Sequence, residues 1–417
     1  MSLIAAPVAL PSARGEAAVI AIVGFAHASS HFFHLMLPPL FPWLINDFGL
    51  GFAQVGSLMT VFFVISGVGQ ALAGIWVDRF GSHRVLCGGL MLLSMSGLCI
   101  YLAPGLPAIY VAAALAGLGN SVFHPADFAL LNKRVSPVRL GHAFSVHGLS
   151  GNLGWAAAPV LMTTVASAYG WRAAGLCAAL VGLSALGLLV WKKELMQYPM
   201  LDRIVRHGQV DHSHANVSTW KLIRSRVVLL AFGFFFFATF GFGALQNFAP
   251  SLLGDIYGLS IAASTSALSI YLLAGCGGLL IGGFMVSGKR SLEYLVAGAL
   301  FVAVLIALLL GWGVAPSPLA VPLMGTMGFF VGLAGPSRDM LVRTAAKARF
   351  GEAAFGRVYG FVYSGLDVGL ALAPIMFGFL LDQHRPDLVF VGIAVTLVGA
   401  IVAALSLGRQ STKLQAH

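Results

Sequence analysis

His27, His31 and His34 are separated by four and then three residues, so on a helix their imidazoles share one face. Imidazole changes charge near neutrality, donates and accepts hydrogen bonds, and ligates metals. His124 and Asp127, three residues apart, share a face of a second segment. His147, Asn152, Gln246, Asn247, the adjacent Arg338 and Asp339, and Asp367 complete the polar set inside apolar stretches. Arg338 stays charged in any protein environment, and its planar fork suits bidentate contact with a carboxylate or phosphonate. A carboxylate taken out of water can join imidazole in loading and releasing a proton. Substrate contacts are accordingly assigned to His27, His31, His34, His124, His147, Gln246, Asn247 and Arg338. Proton coupling is assigned to His31, Asp127, Asp339 and Asp367. No metal-ligand set and no cofactor is assigned.

Plainer readings stand beside these. His34 and His147 fit hydrogen-bonded packing equally well. Arg338 and Asp339 could neutralise each other, or pair with Asp127. Asp127 precedes Lys133 by six residues, roughly 9 Å along a helix, which suggests a partly wet position near the interface. Asp367, ten residues past Arg357, is deep enough to need a partner. A metal path through His27 and His31 lacks an evident Cys or carboxylate beside them, and Asp211, His212 and His214 read as a solvated loop.

The elements that hold these residues are set by composition. Only 9% of the 417 residues are charged, 59% are apolar, and mean hydropathy is +0.91. Soluble domains carry about 25% charged residues, so a soluble fold is excluded. Spanning about 30 Å of hydrocarbon takes roughly 20 helical residues. Such stretches run near 19–43, 53–77, 84–103, 107–131, 141–166, 171–191, 227–250, 262–286, 292–312, 317–341, 355–380 and 388–408. Of the 24 Lys and Arg residues, all but Arg172, Arg385 and the intramembrane Arg338 fall at the termini or in alternate gaps. Cytoplasmic loops retain basic residues, so both termini are expected in the cytoplasm. The same placement explains the +10 net charge through anionic lipid and argues against a nucleic-acid partner. Cys87, Cys99, Cys177 and Cys276 lie in apolar segments without CxxC spacing and read as buried thiols. Residues 1–18 lack the order of a cleavable signal. The expected fold is an all-α membrane protein of 12 transmembrane helices in two pseudo-symmetric six-helix bundles. These are residues 1–191 and 227–417, joined by a cytoplasmic linker at 192–226.

The halves repeat each other. Gly141, Phe144, Gly154 and Pro159 recur as Gly356, Tyr359, Gly369 and Pro374, and Pro42 and Asp47 recur as Pro250 and Asp255. Between the second and third stretches, Gly74, Asp78, Arg79, Gly81 and Arg84 form a turn in which Gly74 allows close packing and Asp78 can pair with a neighbouring cation. This string resembles the loop signature of the major facilitator superfamily, whose fold is two parallel six-helix repeats. In that family the loop latches the cytoplasmic side, and the first, fourth, seventh and tenth helices line the central cavity. The equivalent in the second half, from Gly282 to Arg290, lacks the acidic residue.

Two stretches resemble the fosmidomycin-resistance branch of that superfamily. One is Gly117-Leu-Gly119-Asn-Ser-Val-Phe-His124-Pro125, and the other runs from Gly141 through Gly151-Asn152-Leu-Gly154 to Pro159. Ala126, Ala113 and Ser30-His31 stand where the branch or its drug-antiporter kin carry charged or amide groups. Ala158 replaces a glycine of the antiporter motif. The resemblance implies a secondary transporter of the bacterial inner membrane, a monomer working by alternating access and exporting a small organic solute against protons. Alternatives are a proton symporter importing a small organic anion, and a carrier of a transition metal or metal chelate. No HExxH, GxSxG or nucleotide loop supports an enzyme.

Overall fold

The computed structural model describes residues 12–196, 224–286, 291–350 and 355–415, and every regular element among them is a helix. The Asp211–His214 run and the Gly288–Arg290 end of the second loop lie outside these residues. The helices are α1 (Ala13–His34), α2 (Phe41–Phe48), α3 (Phe52–Phe80), α4 (Ser82–Tyr101), α5 (Leu106–Asn120), α6 (Phe123–Arg134), α7 (Pro137–Tyr169) and α8 (Trp171–Trp191). After the short α9 (Lys193–Met196) come α10 (Arg226–Tyr257), α11 (Ile261–Met285), α12 (Leu292–Gly311), α13 (Ser317–Phe350), α14 (Phe355–Asp382) and α15 (Pro386–Gln415).

Eleven stretches of described helix are long and apolar enough to cross a membrane, α1 with α2 and α5 with α6 counting as one each. The remaining crossing is α7. At 33 residues it is about 50 Å long and ample for a bilayer. Its first half carries Arg139, His142, Ser145, His147, Ser150 and Asn152, which dilute its apolarity.

Proline breaks two crossings where sequence suggested continuous helices. Between α1 and α2 the chain makes a 3-10 turn at Pro38–Leu40. Between α5 and α6 it breaks at Ser121 and Val122. Pro125 has no N–H to give the carbonyl four residues back, so the ladder parts there. By contrast Pro159, Pro250 and Pro374 sit inside unbroken helices.

The described residues form two compact units. One takes those of Met1–His34, Ile65–Trp155 and Arg172–His214, and the other those of Leu35–Val64, Ala156–Trp171 and Ala215–His417. α3 and α7 are each divided between them. In the first unit α4 packs on α5 and α6, and α1 on α6. In the second, α11 lies along α13, while α15 packs on α10 and α12.

Within the second unit the start of α3 meets the end of α14. Asp382 accepts the backbone N–H of Phe52 (2.6 Å) and of Ala53 (3.0 Å), capping α3 from another helix. Thr60 donates to the Ala371 carbonyl at 2.6 Å. Gly51 has no room for a side chain, since a Cβ there would lie 2.9 Å from the Asp382 carboxylate. An N-cap carboxylate is worth about 1 kcal/mol. Asp382→Ala should therefore lower the melting temperature of detergent-solubilised protein by about 2–4 °C. Arg385→Ala, which removes the exposed pair with Asp387, should leave it nearly unchanged.

Candidate functional site

The three histidines of α1 do share a face, and that face is buried. His27, His31 and His34 expose 2%, 9% and 8% of their surface. α1 and α7 touch through main chain. A Cβ at Gly154 would lie 2.0 Å from the Ala28 carbonyl, and one at Gly151 2.8 Å from the His31 ring and 3.0 Å from His27 Nε2. Small residues let membrane helices approach this closely. Here they also clear the volume that the imidazoles fill.

The break before Pro125 turns α6 so that His124 and Asp127 reach the same place, and α7 adds His147 and Trp155. Asp127 Oδ2 accepts from His147 Nε2 at 3.0 Å and lies 3.2 Å from His27 Nδ1. The His27 and His147 rings stack with centroids 3.6 Å apart. His31 sits 4.4 Å from His27, 6.1 Å from His124 and 4.4 Å from the Trp155 indole, ring to ring, and stacks on His34 at 4.8 Å. Asp127 is fully buried rather than wet at the interface. It also supplies the carboxylate beside His27 that sequence spacing did not reveal.

One end of the cluster is satisfied and the other is not. Asn120 Oδ1 accepts from Ser30 Oγ (2.5 Å) and His34 Nε2 (2.8 Å), and Asn120 Nδ2 donates to Ser66 Oγ (2.7 Å). These contacts hold His34 by a hydrogen bond to Asn120. In contrast, both ring nitrogens of His31 and Asp127 Oδ1 are buried with no hydrogen-bond partner. Buried polar atoms are nearly always paired, and each left unpaired costs about 1–3 kcal/mol. The unpaired atoms of His31 and Asp127 set this end of the cluster apart from the Asn120 end.

The second unit holds the other assigned residues. Both amide atoms of Gln246 are buried without a hydrogen-bond partner, as is Asn247 Oδ1, while Asn247 Nδ2 donates to the Gly243 carbonyl at 2.7 Å. Arg338 is not a free cation. Its Nε and Nη2 donate to the two carboxylate oxygens of Asp339 at 2.8 and 3.3 Å, and its guanidinium lies 4.8 Å from the Phe235 ring centre. Asp367 is half-buried on α14 and has no ion-pair partner among the described residues, although its depth suggested one.

The turn after α3 is a single residue. Gly81 has φ +85°, a left-handed conformation that favours glycine, and it links α3 directly to α4. Asp78, Arg79 and Arg84 are exposed around it. A Cβ at Gly74 would meet nothing within 4 Å, so the close packing expected at that glycine is absent in this state.

Sequence reasoning gave no site role to Asn120, Ser30, Ser66 and Trp155. Asn120 carried a signal, since it stands between the Gly117-x-Gly119 pair and the proline that breaks the crossing.

Three likenesses bear on this arrangement. The chain is 26% identical over 391 residues to the fosmidomycin resistance protein of Escherichia coli K12, covering 91% of this chain and 90% of that one. It is 23% identical over 355 residues to the hexuronate transporter of Bacillus subtilis 168, covering 82% of each. A crystal structure of a point mutant of the peptide transporter POT in complex with sulfate shares the fold, with a TM-score of 0.73 at 14% identity over 99% of this chain and 98% of that one. The Major Facilitator Superfamily profile matches residues 23–349, and with the helical membrane fold just described the chain belongs to that superfamily of transporters.

Proposed function

We propose that the chain is a secondary active transporter that exports a small organic solute by alternating access in exchange for protons. It would work as a monomer in a bacterial inner membrane with both termini cytoplasmic. One observation carries the reading. A charged side chain costs at least about 2.5–3.5 kcal/mol inside a membrane helix and titratable groups are rare there, yet four histidines and Asp127 are buried together in one unit. Both His31 ring nitrogens and Asp127 Oδ1 have no hydrogen-bond partner among the described residues. Export is supported by the likeness to the fosmidomycin resistance protein over nine-tenths of both chains.

The proton role is assigned to His31, Asp127, Asp339 and Asp367, and among the three acids Asp367 is favoured. Asp127 is engaged by His147 and His27, and Asp339 by Arg338, which leaves Asp367 as the half-buried acid free to load and release a proton. Gln246 and Asn247 offer neutral hydrogen bonds to the solute. The exposed Asp78, Arg79 and Arg84 around Gly74 and Gly81 are assigned to gating.

Everted vesicles with an imposed pH difference test the reading, using a solute panel that includes fosmidomycin, phosphonates and a hexuronate. An acidic lumen should drive one of these solutes into the lumen, and collapsing the pH difference should stop it. Loss of preloaded hexuronate from the lumen under the same gradient would instead identify a symporter for organic anions, a reading favoured by the hexuronate transporter likeness. Movement indifferent to pH would leave a uniporter.

A further inference from the structure

His27, His124 and His147 each offer one ring nitrogen, and the three nitrogens lie within 4.8 Å of one another. They come from three different helices, α1, α6 and α7, so the bundle itself holds the set together. Zn–N bonds of about 2.0–2.1 Å put tetrahedral nitrogens roughly 3.3 Å apart, so the three rings would have to turn inward from their 4.8 Å spread to close on an ion. The surroundings fit a metal centre on two independent counts. Asp127 Oδ2 touches His147 Nε2 and lies 3.2 Å from His27 Nδ1, the carboxylate contact that orients ligating imidazoles. His31, with both ring nitrogens buried and unpartnered, stands 4.4 Å from His27 ring to ring and supplies a spare donor.

We propose that His27, His124 and His147 bind one divalent first-row transition ion, with Asp127 orienting the rings and His31 in reserve. Imidazole donors suit zinc, cobalt, nickel and copper, whereas magnesium and calcium demand oxygen. Three protein ligands leave one coordination position open, the arrangement found where an ion also holds water or a small molecule. A metal–organic chelate thereby becomes a solute this transporter could recognise. The site rests on the geometry of the first unit, and neither the direction of transport nor its coupling enters.

Tag-free protein in detergent, with His212→Ala and His214→Ala in the linker to silence that segment, should be titrated with Co(II). One Co(II) per chain should give the intense visible spectrum of a low-coordinate site, displaced by Zn(II) and untouched by Mg(II). His124→Gln and His147→Gln should abolish it, and Asp127→Asn should weaken binding roughly ten- to a hundredfold. No spectrum in the parent protein, or an unchanged one in both glutamine variants, overturns the proposal. Should a glutamine variant misfold, X-ray absorption of the Zn(II)-loaded parent decides. A shell of imidazole nitrogens supports the site, and a shell of oxygens alone overturns it. This titration needs no vesicle or gradient, so its failure would leave the transport reading standing.

Discussion

Vesicles containing Asp367→Asn should carry solute down its own gradient at close to the parent rate and should stop responding to an imposed pH difference. One pH unit is worth about 1.4 kcal/mol per coupled proton, or about tenfold in accumulated solute. The variant should lose that factor for every unit applied. Asparagine keeps the size of the carboxylate, removes its charge and exchangeable proton, and replaces one acceptor oxygen with an NH2 donor. The expectation follows from bookkeeping of partners, since the other assigned acids are each held by a cation or by imidazoles while Asp367 is not. Asp387→Asn, in the exposed pair with Arg385, should keep the full pH response. Retention of that response by Asp367→Asn would remove this residue from the coupling.

A second large effect is expected in the seam between α11 and α13. A Cβ at Gly328 would lie 2.0 Å from the Tyr271 carbonyl, at Gly332 2.0 Å from the Gly275 carbonyl, and at Gly278 2.0 Å from the Phe329 carbonyl. Backbone cannot swing aside as a side chain can, so any larger residue must push the two helices apart. In lipid there is no hydrophobic drive to restore the contact, because association depends on the packing that has been lost. Over-packing costs about 1–3 kcal/mol per site. Gly328→Val combined with Gly332→Val should then cost up to about 6 kcal/mol against a margin of about 5–15 kcal/mol. The double variant should aggregate on size exclusion or melt far below the parent. Gly277→Ala and Gly283→Ala, where a Cβ meets nothing within 4 Å, should behave as the parent does. A double variant that melts with the parent would refute the seam.

Crossings were the most legible part of the chain. The stretches expected at 84–103, 171–191 and 292–312 match α4, α8 and α12 to within a few residues. Hydrophobic length and the placement of Lys and Arg act locally, so they can be read along one dimension. Breaks were less legible, because Pro125 parts its helix while Pro159, Pro250 and Pro374 do not, and neighbouring helices decide which. In the candidate site, the shared face of His27, His31 and His34 followed from spacing alone. Its meeting with Asp127 and His147 joins residues a hundred positions apart, which no periodicity encodes. The sequence left Arg338 open between an anion site and a pair with Asp339, and the structure shows the pair, as long side chains can wrap where their Cβ atoms diverge.

The main-chain contact of Gly154 with Ala28 restricts how such a transporter diversifies. A backbone carbonyl sets how closely α1 and α7 lie, and no side chain fits at 154 without separating the helices. Exchanges that keep the two helices together are therefore confined to the side chains around the contact, among them Asn120, His124 and Asp127. Relatives that keep this helix contact should keep a glycine at 154.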